Sequence, residues 1–481
     1  MKRWIWFAGA AVICIAVLLI VLLLPSAQSP QAGETLLNAA EGLDAIAIDA
    51  EFDPDAGTLA VSQTFTLQNR TGEDQTELVL RTYAAAFRDE DYAPSATEDL
   101  HSLCYPDGFS AGGIEITSDG LLYHYTDDAL TVLVVELDTV WVSGETLTLT
   151  LNYTLTIPAA AYRFGVYNGV YVLGNAFVIP AAYLDGAYRM DEYYSIGDPF
   201  VSECRNYTVT ITVPEGYTAV GSGSAEAAGQ TTVFTAPASR DFALCISKRY
   251  QSARTVQDGV QIKAYALTAA HAGELLDTAK KAMRVYTGLY GAYPYPTMTL
   301  AEAELPFDGM SYPSFAMVAS DVLNASEETR ETAVAREIAK QWFQQVVGTD
   351  GYNQAWQHEA PAEYALLSYW EAQHGAAARE SLQYSRVDTA MRLTVGSLTP
   401  GSPLDYFYDW DEYRTVVWHR GAAALCALEL ALDGKLDEFL AAYYDTYAFS
   451  IVSRTDFMTA LQAFSGEDWT PLLDDYLDTV Y

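Results

Sequence analysis

The residues of this 481-residue chain that could do chemistry are charged side chains set one helical turn apart. Arg336 and Lys340 stand at i and i+4, so on a helix they share a face, and Glu337 follows the first of them. Eighteen residues separate Lys340 from Glu359, which lies in Gln357-His358-Glu359-Ala360-Pro361-Ala362-Glu363-Tyr364. Histidines at that i, i+4 spacing would bring two imidazoles to one zinc ion. A glutamate beside the first would polarise a bound water, and a carboxylate on the next helix would be the third ligand. Guanidinium and ammonium groups have no lone pair to give at neutral pH, so Arg336 and Lys340 cannot act in this way. Two facing carboxylates with no cation between them would raise each other's pKa. The pattern therefore allows Arg336 and Lys340 to supply the positive charge there, pairing with Glu337 and Glu359 across two helices.

A helix must position this cluster, and its signals are present. Ser326 is a suitable N-cap, Glu327 and Glu328 complement the positive end of the dipole, and Gly348 is a natural stop. Val334, Ile338, Trp342 and Val346 make an apolar line beside Ala335, Ala339, Phe343 and Val347, while Arg336, Glu337, Lys340, Gln341 and Gln344 form the opposite face. Taken alone, that polar face also reads as the solvated side of an ordinary amphipathic helix. Upstream, Ala45 to Phe52 alternates apolar and polar residues as a half-buried strand should, and Leu59 to Leu67, Leu78 to Leu80, Leu130 to Leu137 and Thr146 to Ile157 follow suit. Residues 45–250 are thus expected to be mostly antiparallel sheet. From Thr268 the period becomes helical, with a helix over Ala269 to Tyr290 that ends near Gly291.

With Glu337, Gln341-Trp342 and Glu359 at these spacings, the chain resembles the membrane alanyl aminopeptidase family of gluzincin (thermolysin-like) zinc metallopeptidases. In that family the signature is H-E-x-x-H, eighteen residues, then E, with Q-W after the second histidine; this sequence departs from it at both histidines. The likeness extends through Ile157-Pro158, Arg163-Phe164-Gly165 and Val172-Leu173-Gly174-Asn175, and through Gly197-Asp198-Pro199-Phe200 to Pro214, segments read as architecture without chemistry. The resemblance implies that Ser311, in Gly309-Met310-Ser311, stands where the family has a glutamate for the substrate's free amino group. It also implies that Trp418, in Tyr413 to Ala422, stands where the family has the tyrosine that stabilises the oxyanion. Tyr413, five residues earlier, is the nearest phenol. Glu337 matches the family's water-polarising glutamate, and Arg336, Lys340 and Glu359 are the degenerate ligand positions. The six histidines are His101, His124, His271, His358, His374 and His419; His358 beside Glu359 and His419 beside Trp418 leave a rearranged metal site as the alternative.

A net charge of −37 sets aside nucleic-acid binding. Lys2-Arg3 precedes an apolar run from Trp4 to Leu24, long enough for the about 20 residues a spanning helix needs. Residues 1–24 are read as a transmembrane anchor or uncleaved signal, with the amino end cytoplasmic and the bulk extracytoplasmic, in a single-pass cell-membrane protein. Residues 25–42, rich in Ser, Pro, Gln, Ala and Gly, are expected to be a linker. Of Cys104, Cys204, Cys245 and Cys426, the favoured disulfide joins Cys204 to Cys245, with four buried free thiols as the other reading.

These observations combine into an α+β chain of two domains: an N-terminal antiparallel β-sheet domain of saddle or sandwich form over 43–250, and a mostly helical thermolysin-like metallopeptidase domain over 251–481. The expected function is that of a pseudopeptidase without the family's zinc, binding a peptide or protein ligand in the vestigial cleft. The alternative is an active zinc metallo-aminopeptidase with a rearranged metal site.

Overall fold

The structure is a computed structural model that describes residues 32–93 and 98–480. The anchor expected over residues 1–24 lies outside the described residues. Among those described, no single helix is long and apolar enough to cross a membrane. Part of the stretch expected to be a linker is the helix Ala32–Ala40, which buries Leu36.

The N-terminal half is built of sheets. Ala45–Asp53 alternates exposed and buried along its whole length, and Thr58–Gln68 pairs with it antiparallel. They lie within a seven-stranded sheet, which runs from Ser224–Ala228 at one edge to Gly113–Ile116 at the other. All its pairings are antiparallel except that of Ala45–Asp53 with Arg205–Thr212. Two four-stranded sheets accompany it, one holding Gln75–Arg81 and Val132–Trp141, the other Val170–Leu173 and Leu244–Ser247, with a small hairpin of Tyr183–Leu184 and Ala187–Tyr188. Leu130, expected at the start of a strand, instead takes a left-handed turn with φ 56°. Asp127 closes that turn by accepting from the Thr131 and Val132 amides.

Cys104, Cys204, Cys245 and Cys426 are all buried, and none is joined to another by a disulfide. The favoured Cys204–Cys245 disulfide is therefore corrected. Cys204 immediately precedes a strand of the seven-stranded sheet, whereas Cys245 sits within Leu244–Ser247 of a different sheet.

The second half opens with a five-stranded sheet in the order Gln251–Gln257, Val260–Ala266, Thr297–Ala303, Phe315–Ala319, Gly309–Tyr312. Its three middle strands are parallel and Thr297–Ala303 is buried at every position, as parallel strands covered on both faces should be. Helix Ala269–Tyr290, capped by Thr268 accepting from the His271 amide, connects two of these strands. The helices Glu327–Lys340 and Trp356–His374 then pack on each other, the first of them also against this sheet. The result is a two-domain α+β fold with the β layer first and the helical layer second.

The central helix begins where its signals place it, with the Ser326 side chain accepting from the Thr329 amide. It does not run as an α-helix to Gly348. At Gln341–Val346 the turns widen to a π-helix, with Phe343 at φ −107° and ψ 31°. Arg240, from the β domain, donates to the carbonyls of Gln345, Val346 and Ser450 just there. Carbonyls that the widened turn leaves over are thus satisfied by a side chain from the other domain.

Candidate functional site

The polar face of the central helix is buried, so its reading as a solvated surface is corrected: Arg336 is 3% exposed, Glu337 2% and Lys340 3%. Burying three ionised groups is costly unless each is paired, and partners come from three directions. Arg336 donates through Nη2 to Glu359 Oε2 and through Nε to Glu363 Oε2 at 3.1 Å. Lys340 Nζ lies 3.0 Å from Asp198 Oδ2 and 3.3 Å from Glu359 Oε1. Tyr413, itself buried, donates its hydroxyl to Glu359 Oε1 at 3.3 Å.

Pairing of the two cations with Glu359 follows the sequence expectation. Pairing with Glu337 is present but loose: its Oε1 forms an ion pair with Arg336 Nη1 at 3.6 Å, and its Oε2 has no hydrogen-bond partner among the described residues. Arg336 bonds more closely to a carboxylate not expected there, Glu363, one turn beyond Glu359 on the same helix and also bound by Arg386 and His419. The fourth carboxylate, Asp198, comes from the Gly197-Asp198-Pro199-Phe200 stretch. By sequence that stretch is architecture alone, yet it carries an ion pair at the centre of the site.

The electrostatics follow from this wiring. Burial drives the Glu359 carboxyl upward, but Lys340 and Arg336 outweigh it and hold the group well below the usual carboxylate range. Burial also acts on Glu363 and is overcome by Arg386 and His419. Asp198 stays below its ordinary value because Lys340 offsets its burial. Lys340 and Arg336 are both raised: burial opposes their charge, and Asp198 and Glu359 for the lysine, Glu359 and Glu363 for the arginine, more than restore it. Glu337 is the exception, pushed up by burial to about 7 because neither cation bonds it closely.

The remaining predicted positions are held just as firmly. Gln341 Nε2 donates to Ser311 Oγ at 2.6 Å and to the Tyr312 carbonyl, so the serine is engaged within the fold. The Trp418 ring covers the Arg336 guanidinium, with Cζ 3.4 Å from the ring centroid, a cation–π contact in a desolvated place. Met310, Ser311, Asp198 and His358 line a polar cavity of about 50 Å³, room for a few waters.

Residues 274–476 match the peptidase family M1 domain. This match, over less than half of the chain, supports the likeness to M1 aminopeptidases read from the sequence. The chain is similar to "Probable aminopeptidase 2" of Sulfurisphaera tokodaii, 25% identical over 227 residues covering 42% of this chain and 28% of the relative. It is also similar to "Aminopeptidase M1" of Arabidopsis thaliana, at 23% identity over 46% of this chain and 27% of the relative. The matches thus span under a third of those relatives' lengths. In structure it is similar to the M1 zinc metallopeptidase from Deinococcus radiodurans, at 17% identity and TM-score 0.63, covering 90% of this chain and 93% of that one. A point mutant of that metallopeptidase bound to a Tyr-Ser-Ala substrate gives TM-score 0.65 at 18% identity, covering 91% of this chain and 94% of that one. At that identity the likeness establishes the fold.

The zinc of M1 metallopeptidases does not fit the residues at positions 336, 340 and 359. Two of the three offer only protonated nitrogen, and both oxygens of the third already accept from cations.

Of the cluster's members, Asp198, Glu363 and Arg386 are not among the residues that sequence reasoning assigns to the site. Glu363 had a signal, lying four residues after Glu359 on one helical face. Asp198 had none, since its contact crosses 142 residues of chain.

Proposed function

We propose that this chain is a pseudopeptidase of family M1: a binding or scaffold protein in which Arg336 and Lys340 replace the metal, tethered to the cell membrane by residues 4–24 with its bulk extracytoplasmic. The observation that carries this reading is the placement of both cations on Glu359, the third-ligand position, in a buried site. Ser311 tied to Gln341 and Trp418 stacked on Arg336 support it, because neither offers the carboxylate or free hydroxyl that a peptidase of this family would use. The ligand is a peptide or a protein surface, taken at the vestigial cleft.

The test uses the full-length chain with amino-acid arylamides and with a labelled tripeptide such as Tyr-Ser-Ala. Saturable binding without release of product supports the reading. Hydrolysis that a chelator abolishes would contradict it. One observation favours the second reading, an active enzyme with a rearranged metal site: Asp198, His358 and Glu359 each bring a potential ligand atom to one place.

A further inference from the structure

Lys340 fills a spot on which three other donors converge. Asp198 from the β domain and the consecutive His358 and Glu359 of helix Trp356–His374 each offer one ligand atom, and those atoms lie within 4.8 Å of one another. Two carboxylates and an imidazole suit a divalent transition ion such as zinc, cobalt or manganese. The Lys340 ammonium already bonds to two of them, 3.0 Å from Asp198 Oδ2 and 3.3 Å from Glu359 Oε1.

His358 points to a cation independently of the carboxylates. It is 1% exposed, and its Nδ1 is held 2.9 Å from Thr349 Oγ1. This is the outer-shell arrangement that orients a ligating imidazole. Its Nε2 lies 3.5 Å from Glu359 Oε1 and has no hydrogen-bond partner among the described residues. Apart from that long contact with Glu359, the buried ring nitrogen lacks a close hydrogen bond, a state that costs free energy. Next to it, the polar cavity lined by Asp198, His358, Gln344 and Thr349 has room for the waters that would complete a metal's coordination.

We infer that Asp198, His358 and Glu359 form a divalent-cation site displaced from the central helix, which the ammonium of Lys340 fills, so that lysine and metal exclude one another. Of the three, only Glu359 stands at the third-ligand position of the zinc signature. The inference rests on the pseudopeptidase reading, in which the wild-type site holds no metal; zinc uptake by Lys340→Met decides it separately, because its failure there would leave that reading standing.

The test measures zinc retained by the full-length chain after equilibration with zinc and gel filtration, with cobalt substituted as an absorption probe of nitrogen and oxygen ligation. The wild-type chain is expected to retain far less than one zinc per chain, and Lys340→Met to retain one. Lys340→Met/His358→Ala should bind at least about tenfold more weakly than Lys340→Met. A folded Lys340→Met chain that takes up no zinc overturns the proposal. So does equal affinity in the double variant, or a wild-type chain that holds one zinc lost on His358→Ala. Should Lys340→Met fail to fold without metal, recovery of folding with zinc supports the site. Failure to recover, beside a folded Lys340→Gln chain that binds no zinc, overturns it.

Discussion

Glu359 accepts from three donors belonging to two separate stretches of chain, and this concentrates the energetics of the site in a few atoms. Replacing Arg336 with methionine leaves Lys340 and Tyr413 on Glu359, and Arg386 and His419 on Glu363, so the carboxylates are not stranded but are under-neutralised. A buried pair broken on one side costs about 3–5 kcal/mol. Urea denaturation of Arg336→Met should therefore show a loss in that range, part of it recovered by adding Glu359→Gln. Unchanged stability would remove the charge-replacement account. Glu337 makes an opposite prediction. Its folded pKa is raised to about 7, so the fold favours the neutral acid. That contribution is complete below the ordinary value near 4.5 and is lost as pH rises through about 7. Glu337→Gln should thus match the wild type at about pH 4 and exceed it by about 1–3 kcal/mol at about pH 8, the cost of an unsatisfied buried group. A gain at the acid end instead would show that the group's ionisation is not the cause. Glu359 and Glu363, held low, contribute stability that is present above their ordinary values and disappears as pH falls through their depressed ones.

The central helix works as an element because what lies past its α-helical end is shaped to receive neighbours. Gln341, first residue of the widened turn, donates to Ser311 and Tyr312 and accepts from the Ser314 amide, joining the helix to the edge strand Gly309–Tyr312. Gly309 on that strand packs against the helix so closely that a Cβ would lie 2.7 Å from the Met317 carbonyl and 2.8 Å from Glu337 Cγ. Gly309→Ala should destabilise by about 1–3 kcal/mol, as overpacking does, read from thermal melts; a neutral outcome would mean that the strand and helix are not in the contact described. The start of this helix was legible, since Ser326 and the acids after it act locally. The fate of its polar face was not. Periodicity separates Arg336, Glu337 and Lys340 from the apolar line, yet it does not say whether water or protein meets them. That is decided by Glu359, Glu363 and Asp198, the last reached across 142 residues. The π-helical turn was equally hidden, because its leftover carbonyls are satisfied by Arg240 from the other domain.

At the scale of the whole molecule, the α+β order and the likeness to M1 peptidases could be read from strand alternation over 45–67, the helix over 269–290 and the Glu337-to-Glu359 spacing, because each depends on contiguous or regularly spaced residues. The Cys204–Cys245 pairing failed because nearness of two strand-like stretches in sequence does not bring two particular side chains together. One hydrophobic core runs through both halves, and specific polar links cross between them: Lys340 to Asp198, Arg240 to three carbonyls, and the Tyr312 hydroxyl to Asn175 at 2.9 Å. Arg240→Ala would leave several buried carbonyls without a donor and should cost at least about 2 kcal/mol, with earlier proteolysis between the domains as the accessible readout. The central claim, that two protonated side chains have taken a metal's place, is tested most directly by counting zinc in the purified full-length chain after exposure to excess zinc, alongside arylamide hydrolysis with and without a chelator. The account predicts far less than one zinc per chain and no chelator-sensitive hydrolysis. One zinc per chain, with hydrolysis lost on its removal, would contradict it.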